Sequence, residues 1–150
     1  MTFINYDEGK DKVALQNFLQ QAEWKAGQHL YELLQKDQFK TQYGQKAKLY
    51  FYQEEDQLLG FGALVEQDYL DRPNLTPWIA LIYVDPKARG KRLSQKIVHF
   101  LEEQAFQLGY NQVYLVSQHQ GLYEKYGYDL MEVVLDSIHD KDYLYQKQLN

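Results

Sequence analysis

The stretch VDPKARGKRLSQKIVHFLEEQA, Val84–Ala105, decides how the rest of the chain reads. An apolar strand ends at Val84. A turn carrying Lys87, Arg89, Lys91, Arg92 and Lys96 follows it, and then an amphipathic helix. A strand that feeds a helix through a tight turn aims several unpaired backbone N–H groups at one point, and the helix dipole adds partial positive charge there. Such a turn suits a phosphate. Gly90 allows close backbone approach, and Arg89 has the planar donor fork that holds a phosphate in bidentate fashion. The same run also reads as a solvated turn whose lysines only solubilise a surface helix. Neither G-x-x-x-x-G-K-[ST] nor G-x-G-x-x-G is present, so the P-loop and dinucleotide fingerprints are excluded.

Upstream of the turn, WIALIYV (78–84) is seven apolar residues in a row, as in a strand covered on both faces. QDYLDRPNLTP before it is a loop with two prolines. AKLYFYQ and QLLGFGALVE read as strands joined at the polar turn EEDQ into an antiparallel hairpin. From Lys12 to about Gln42 apolar residues fall at helical spacing, with Gly27 as the expected break between two helices. TFINY is a short first strand. Downstream, Gly109 closes the helix and NQVYLVS is another buried strand. QGLYEKYGY is a short helix stopped at Gly127. DLMEVVL and DYLYQKQL are closing strands linked by DSIHD. The expected order is β-α-α-β-β-β-α-β-α-β-β, a mixed α/β domain with a central sheet.

Bulk properties narrow the function. The 150 residues fit one domain, 1–150, with a single sizeable core. A net charge of −5 argues against a general nucleic-acid binder. With no cysteine, thiolate nucleophiles and cysteine-ligated metals are excluded. No signal-peptide core and no run of membrane-spanning length occurs, so no membrane partner and a cytoplasmic location are expected. His29, His99 and His139 have no cluster partners in the sequence, so no metal site is expected.

VDPKARGKRLS resembles the acyl-CoA loop of the GNAT N-acyltransferase superfamily, V-x-P-x-x-R-G-x-G-x-G, in its Val, its Pro and its Arg-Gly pair. It departs at Arg92, where the pattern has Gly, and at Ser94, where it has Gly or Ala. GLYEKYGY, Gly121–Tyr128, is similar to the family's F-Y-E-K-x-G-F segment after strand five. The resemblance covers the whole chain. It implies a GNAT fold: a central, mixed and mostly antiparallel sheet of six to seven strands, about four flanking helices, and strands four and five splayed apart at a bulge.

The same resemblance implies roles. Arg89, Gly90, Lys91, Arg92, Leu93 and Ser94 would bind the pyrophosphate of coenzyme A. The backbone of Ile82, Tyr83 and Val84 would align the pantetheine, as an added strand does. An N–H near Ile82 or Tyr83 would polarise the thioester carbonyl. Tyr123 falls on the tyrosine that protonates the departing thiolate, chemistry open to a phenol with a pKa of about 10. By spacing alone, Tyr123 also reads as one of 14 tyrosines packed into a core.

The general base is less legible. Many family members place a Glu on strand four, and WIALIYV has no acid. Glu66 and Asp68 at the end of strand three and His119 after strand five are the candidates. Each has a plainer reading, solvated strand-end carboxylates for the first two and a loop histidine capping the short helix for the third. The acidic, aromatic DYLDRPNLTPW would suit a cationic amine.

The expected activity is transfer of an acetyl group from acetyl-CoA, the acyl-donor substrate, to a primary amine acceptor of a small molecule or peptide, by direct attack in a ternary complex. A non-catalytic acyl-CoA-binding sensor or assembly subunit of the same fold is the alternative. Edge strands often pair in such domains, so a homodimer is among the expectations.

Overall fold

The computed structural model describes residues 2–135 and 141–150. The strands are β1 (Thr2–Asn5), β2 (Lys48–Glu54), β3 (Gln57–Val65), β4 (Trp78–Val84), β5 (Gln112–Ser117), β6 (Asp129–Leu135) and β7 (Lys141–Gln148). The helices are α1 (Lys12–Gln21), α2 (Lys25–Gln35), α3 (Phe39–Tyr43) and α4 (Leu93–Gln107). The described strands form one sheet in the order β1-β2-β3-β4-β5-β7-β6. Among the described strands only β4 and β5 are parallel neighbours. This is the mixed, mostly antiparallel sheet with about four flanking helices that the family resemblance implies, here with seven strands and four α-helices among the described residues. His139 and the DSIHD connection lie outside the described residues.

Alternation along the strands builds two cores, one on each face of the sheet. Leu15, Leu19, Leu30 and Leu33 of α1 and α2 pack on Phe51, Phe61 and Tyr83. On the other face Ile97, Val98 and Leu101 of α4 pack on Tyr52, Ile79, Val113 and Tyr145. The EEDQ turn is the expected hairpin: Glu54 pairs with Gln57, and Glu55 and Asp56 both adopt the left-handed region that a two-residue hairpin turn requires.

Two expectations for the early helices are corrected. The chain breaks at Ala22–Trp24, not at Gly27, and α3 adds a third helix to the Lys12–Gln42 span. The break follows from packing that lies far away in sequence. Trp24 stacks on Tyr83 with ring centroids 5.8 Å apart and an interplanar angle of 9°. Gly27 instead sits in the first turns of α2, where a Cβ would lie 3.2 Å from Leu19 O and from the Ala22 Cβ. The short element in GLYEKYGY is a 3-10 turn, Tyr123–Tyr126, ended by Gly127 in the left-handed region.

The feature that shapes the functional region is a bulge in β4. Phe61 pairs with Tyr83 but Ala63 pairs with Ala80, so Gly62 faces two residues, and Leu81 takes φ +58. The insertion flips the side-chain parity. Trp78 and Ala80 face the α1–α2 core, and after the bulge Tyr83 does so in place of residue 82. Gly62 leaves the room: a Cβ there would come within 3.0 Å of Ile82, Ile97 and Leu101. At Gly60 a Cβ would lie 2.5 Å from the Tyr83 carbonyl oxygen, which is backbone and cannot swing away. Gly60→Ala is therefore expected to destabilise the fold by about 2–3 kcal/mol in urea unfolding. A loss under about 1 kcal/mol would contradict the tight β3–β4 approach.

Candidate active site

β4 and β5 touch at one end only. Trp78 pairs with Tyr114, and the Tyr114 N–H donates to Pro77 O at 3.1 Å. Beyond that point β4 pairs with β3, β5 pairs with β7, and the two strands diverge. The gap is a cleft of about 490 Å³. Ile82, Tyr83 and Val84 all line it, as does Tyr123 from across the sheet. A second cavity of about 490 Å³ lies at the basic turn and is lined by Gly90, Arg92, Leu93 and Ser94. The two share Ile82, Val84, Arg89, His119 and Tyr123 as walls. Lys91 is exposed beside them and lines neither.

The turn itself is held by local bonds. The Asp85 N–H donates to Leu59 O at 2.7 Å, and the Asp85 carboxylate accepts from the Lys87 N–H at 3.0 Å. Pro86–Ala88 form a 3-10 turn, after which Gly90 takes φ +86. Arg92 takes φ +59 at the N-cap of α4 and makes no side-chain cap bond. The departure from Gly at this position thus keeps the left-handed backbone that Gly favours, at a cost of roughly 1–2 kcal/mol. The first amides of α4 have no intrahelical acceptor and no capping side chain, so they stand open to an anion.

Charge reinforces that geometry. Among the described residues none of Lys87, Arg89, Lys91, Arg92 and Lys96 forms an ion pair. The Arg89 Nε donates to Val84 O at 3.2 Å, which parks the guanidinium at the end of β4, between the two cavities.

Tyr123 is buried at 8 % exposure, with its ring edge-on to Tyr126 and Tyr128 at 5.7 and 5.9 Å between centroids. Burial, with Tyr126 beside it, pushes its phenol up to about 12. His119 is exposed and borders both cavities. Its N–H donates to Ser117 Oγ at 3.0 Å, and its carbonyl accepts from the Tyr145 hydroxyl at 3.2 Å. It does not cap the short helix. The N-cap is Leu122, with no side-chain cap bond, and Glu124 inside the turn reaches back, its Oε1 accepting from the Gly121 N–H at 2.9 Å and the Tyr145 hydroxyl at 3.0 Å.

Neither acidic candidate on strand three reaches the cleft. Glu66 Oε1 accepts from the Lys46 N–H at 2.6 Å and fixes the turn before β2. Asp68 lies in the loop region beyond β3, where burial pushes its carboxyl up and Asp142 adds to the shift. Sequence reasoning missed Glu23 and Trp24 instead. Both come from the α1–α2 break and line the first cavity but not the second. Their only trace in the sequence is the interruption of helical periodicity in QQAEWKAG. Glu23 borders one cavity and Arg89 borders both, so residues of opposite charge line the cleft. His99 lies 3.6 Å from Glu102 and 3.3 Å from Glu103, neighbours the sequence reading did not give it. Among the described residues no group of three or more His, Cys, Asp or Glu is placed to hold a metal ion.

Residues 15–128 match the family model described as Acetyltransferase (GNAT) family. No curated protein sequence matches the chain. Among solved structures, the aminoglycoside 6'-N-acetyltransferase from Enterococcus faecium superposes with a TM-score of 0.70 at 17% identity, covering 99% of this chain and 97% of that one. A spermidine N-acetyltransferase chimera from Vibrio cholerae gives 0.68 at 16% identity over 99% and 96%. A GNAT family acetyltransferase from Elizabethkingia anophelis, with acetyl-CoA bound, gives 0.57 at 17% identity over 73% and 80%. At these identities the structures share the fold.

Proposed function

The chain belongs to the GNAT acetyltransferase family, and from that premise we propose that it is an N-acetyltransferase, moving an acetyl group from acetyl-CoA to a primary amine of a small molecule or peptide within a ternary complex. The observation that carries this reading is the open gap between β4 and β5 leading to an uncapped, unpaired basic helix N-terminus. One end suits a diphosphate, and the other suits an extended arm that bonds to strand backbone. The fold neighbours that carry acetyl-CoA or coenzyme A agree with that donor.

The roles follow from position. The amides that open α4 at Leu93 and Ser94, with Gly90, Arg92 and the Arg89 guanidinium, take the diphosphate. Lys91 adds to the field. The backbone of Ile82, Tyr83 and Val84 aligns the pantetheine, and an N–H there polarises the thioester carbonyl. The amine nitrogen attacks that carbonyl carbon, the C–S bond breaks, and the electron pair leaves on sulfur. The ammonium proton passes to His119 or to water. Tyr123 presents its O–H to the departing sulfur. A phenol held near 12 is a weaker acid than a thiol of about 8.5, so its main part is hydrogen-bond donation to the developing thiolate.

On the acceptor side, Glu23 and the Trp24–Tyr83 stack suit a cationic amine. The neighbours named for aminoglycosides and spermidine act on amines of that charge class. Release of CoA thiol from acetyl-CoA on adding a panel of primary amines, spermidine and an aminoglycoside included, tests the function. No release with any amine, despite acetyl-CoA binding, would leave a non-catalytic binder. Glu23→Gln is expected to raise KM for a cationic amine about tenfold while KM for acetyl-CoA holds, because one charge-assisted bond is lost. An unchanged amine KM would remove Glu23 from the acceptor site.

Among the described residues no helix is long and apolar enough to cross a membrane, and the proposal places the protein in the cytoplasm. The homodimer suggested by the family resemblance would form on the β6 edge, where Leu130, Met131, Val133 and Leu135 are exposed. A monomer in sedimentation equilibrium would remove that part.

A further inference from the structure

Glu102 is a carboxylate in the wrong place for solubility. It sits in the middle of α4 at 6 % exposure, on the face that carries Ile97, Val98, Leu101 and Ala105. A charge there is costly unless it is paired and hydrogen-bonded. Glu102 Oε2 accepts from the Tyr128 hydroxyl at 2.7 Å, and Oε1 accepts from Lys147 Nζ at 3.0 Å. Lys147, on β7, also donates to Tyr126 O at 2.8 Å and lies 5.5 Å from the centre of the Tyr128 ring. Gly127 makes room for that lysine: a Cβ there would lie 3.3 Å from its side chain.

A second tie lies nearer the start of α4, where Ser94 Oγ and the Tyr126 hydroxyl are 3.3 Å apart. Positions 94 and 102 are about 12 Å apart along a helix. The helix therefore grips the Tyr123–Tyr126 turn and its exit at two well-separated points. The residues it grips, Tyr126 and Tyr128, supply two of the three rings that wall Tyr123, the third being Tyr145. The Glu124 clamp on Gly121 and Tyr145 is separate and holds the entry to the turn.

Stability alone does not account for this arrangement, since a buried ion pair is often no better than a well-packed apolar replacement. We propose that the Glu102–Lys147 pair is a positioning device for Tyr123, fixing the distance from the N-terminus of α4 to the phenol. The inference rests on Tyr123 being the partner of the thiolate. With the diphosphate held at the start of α4 and a pantetheine arm of set length, the sulfur falls at one place, and the phenol must already be there. A misplacement of about 1 Å is enough to lose about a hundredfold in rate.

The test needs no acceptor amine. The probe is CoA, and the readout is the pKa of its thiol in the complex, followed by thiolate absorbance against pH. In the wild type the phenol stabilises the thiolate, so bound CoA titrates below free CoA. Tyr123→Phe should raise the bound thiol by about one pH unit, the worth of one hydrogen bond to a charged group. Glu102→Gln should raise it by at least half as much. In the Tyr123→Phe background Glu102→Gln should add nothing, because the effect runs through the phenol. Lys147→Met, at a less buried site, gives the same result if Glu102→Gln does not fold. Melting shifts with CoA confirm that each variant still binds.

Wild-type thiol titration in Glu102→Gln and Lys147→Met, alongside a shifted Tyr123→Phe, overturns the positioning role and leaves the reading of Tyr123 intact. Additive shifts in the double variant overturn it as well. No shift in Tyr123→Phe itself removes Tyr123 as the thiolate's partner, and the positioning role with it.

Discussion

Tyr123→Phe is expected to lower kcat for CoA release by about a hundredfold, with KM for acetyl-CoA within about threefold of wild type. The magnitude follows from the phenol's environment. A hydrogen bond to a charged partner contributes about 1.5–3 kcal/mol, and ring packing against Tyr126, Tyr128 and Tyr145 survives the loss of one oxygen. Because the phenol is held up to about 12, it stays protonated across the working range. The wild-type pH profile should therefore show no descending limb from Tyr123 near pH 10. A limb at 10 that disappears in Tyr123→Phe would mean that the hydroxyl is solvated. Unchanged kcat at every pH would mean that it has no part in the chemistry.

Alkali should unfold this protein before its buried tyrosines titrate. Tyr52, Tyr123 and Tyr145 are each pushed up to about 12, chiefly by burial, and Tyr128 is pushed up further by burial beside Glu102. A raised phenol favours the native state while it stays neutral. The contribution is complete below pH 10, where the unfolded phenol is still protonated. It is lost as pH rises from about 10 toward 12, because only the unfolded chain releases the proton. For Tyr123 alone two pH units amount to about 3 kcal/mol. That is a large part of the roughly 5–15 kcal/mol that holds a domain together. Circular dichroism and phenolate absorbance recorded together should show the last tyrosines ionising in step with a cooperative loss of structure below pH 12. Ionisation of all 14 tyrosines with the fold intact would contradict the burial of these rings.

What could be read in the sequence was local. WIALIYV announces a buried strand because every residue is apolar, and the turn after it announces itself through five cations in ten residues. Both depend on neighbours along the chain, and both stand where they were expected. The family resemblance implies a bulge, but its place at Leu81 has no such mark. It is a left-handed leucine in an unbroken apolar run, and its only trace is Gly62 on the adjoining strand. The α1–α2 break fails for the same reason. Gly27 is the residue that local rules favour as a break, while Trp24 is placed by a stack on Tyr83, 59 positions away. Glu23 enters the cleft through that break, so it could not be found before the break was known. Arg92 teaches the converse. The side chain departs from the glycine of the resembled pattern, yet the backbone keeps the glycine's left-handed conformation, since the turn and α4 on either side fix it.

The reading stands or falls on whether the gap between β4 and β5 takes an acyl-CoA anchored at the basic turn. Thermal melts with acetyl-CoA, CoA, ATP and no ligand, for wild type and Arg89→Ala, test this most directly. Ligand at a hundred times its dissociation constant should stabilise the wild type by about 2.7 kcal/mol. The expected result is an upward shift with acetyl-CoA and CoA, a smaller one in Arg89→Ala at equal ligand, and little with ATP. No shift with millimolar acetyl-CoA at low salt would contradict the account, as would an equal shift with ATP that Arg89→Ala leaves untouched.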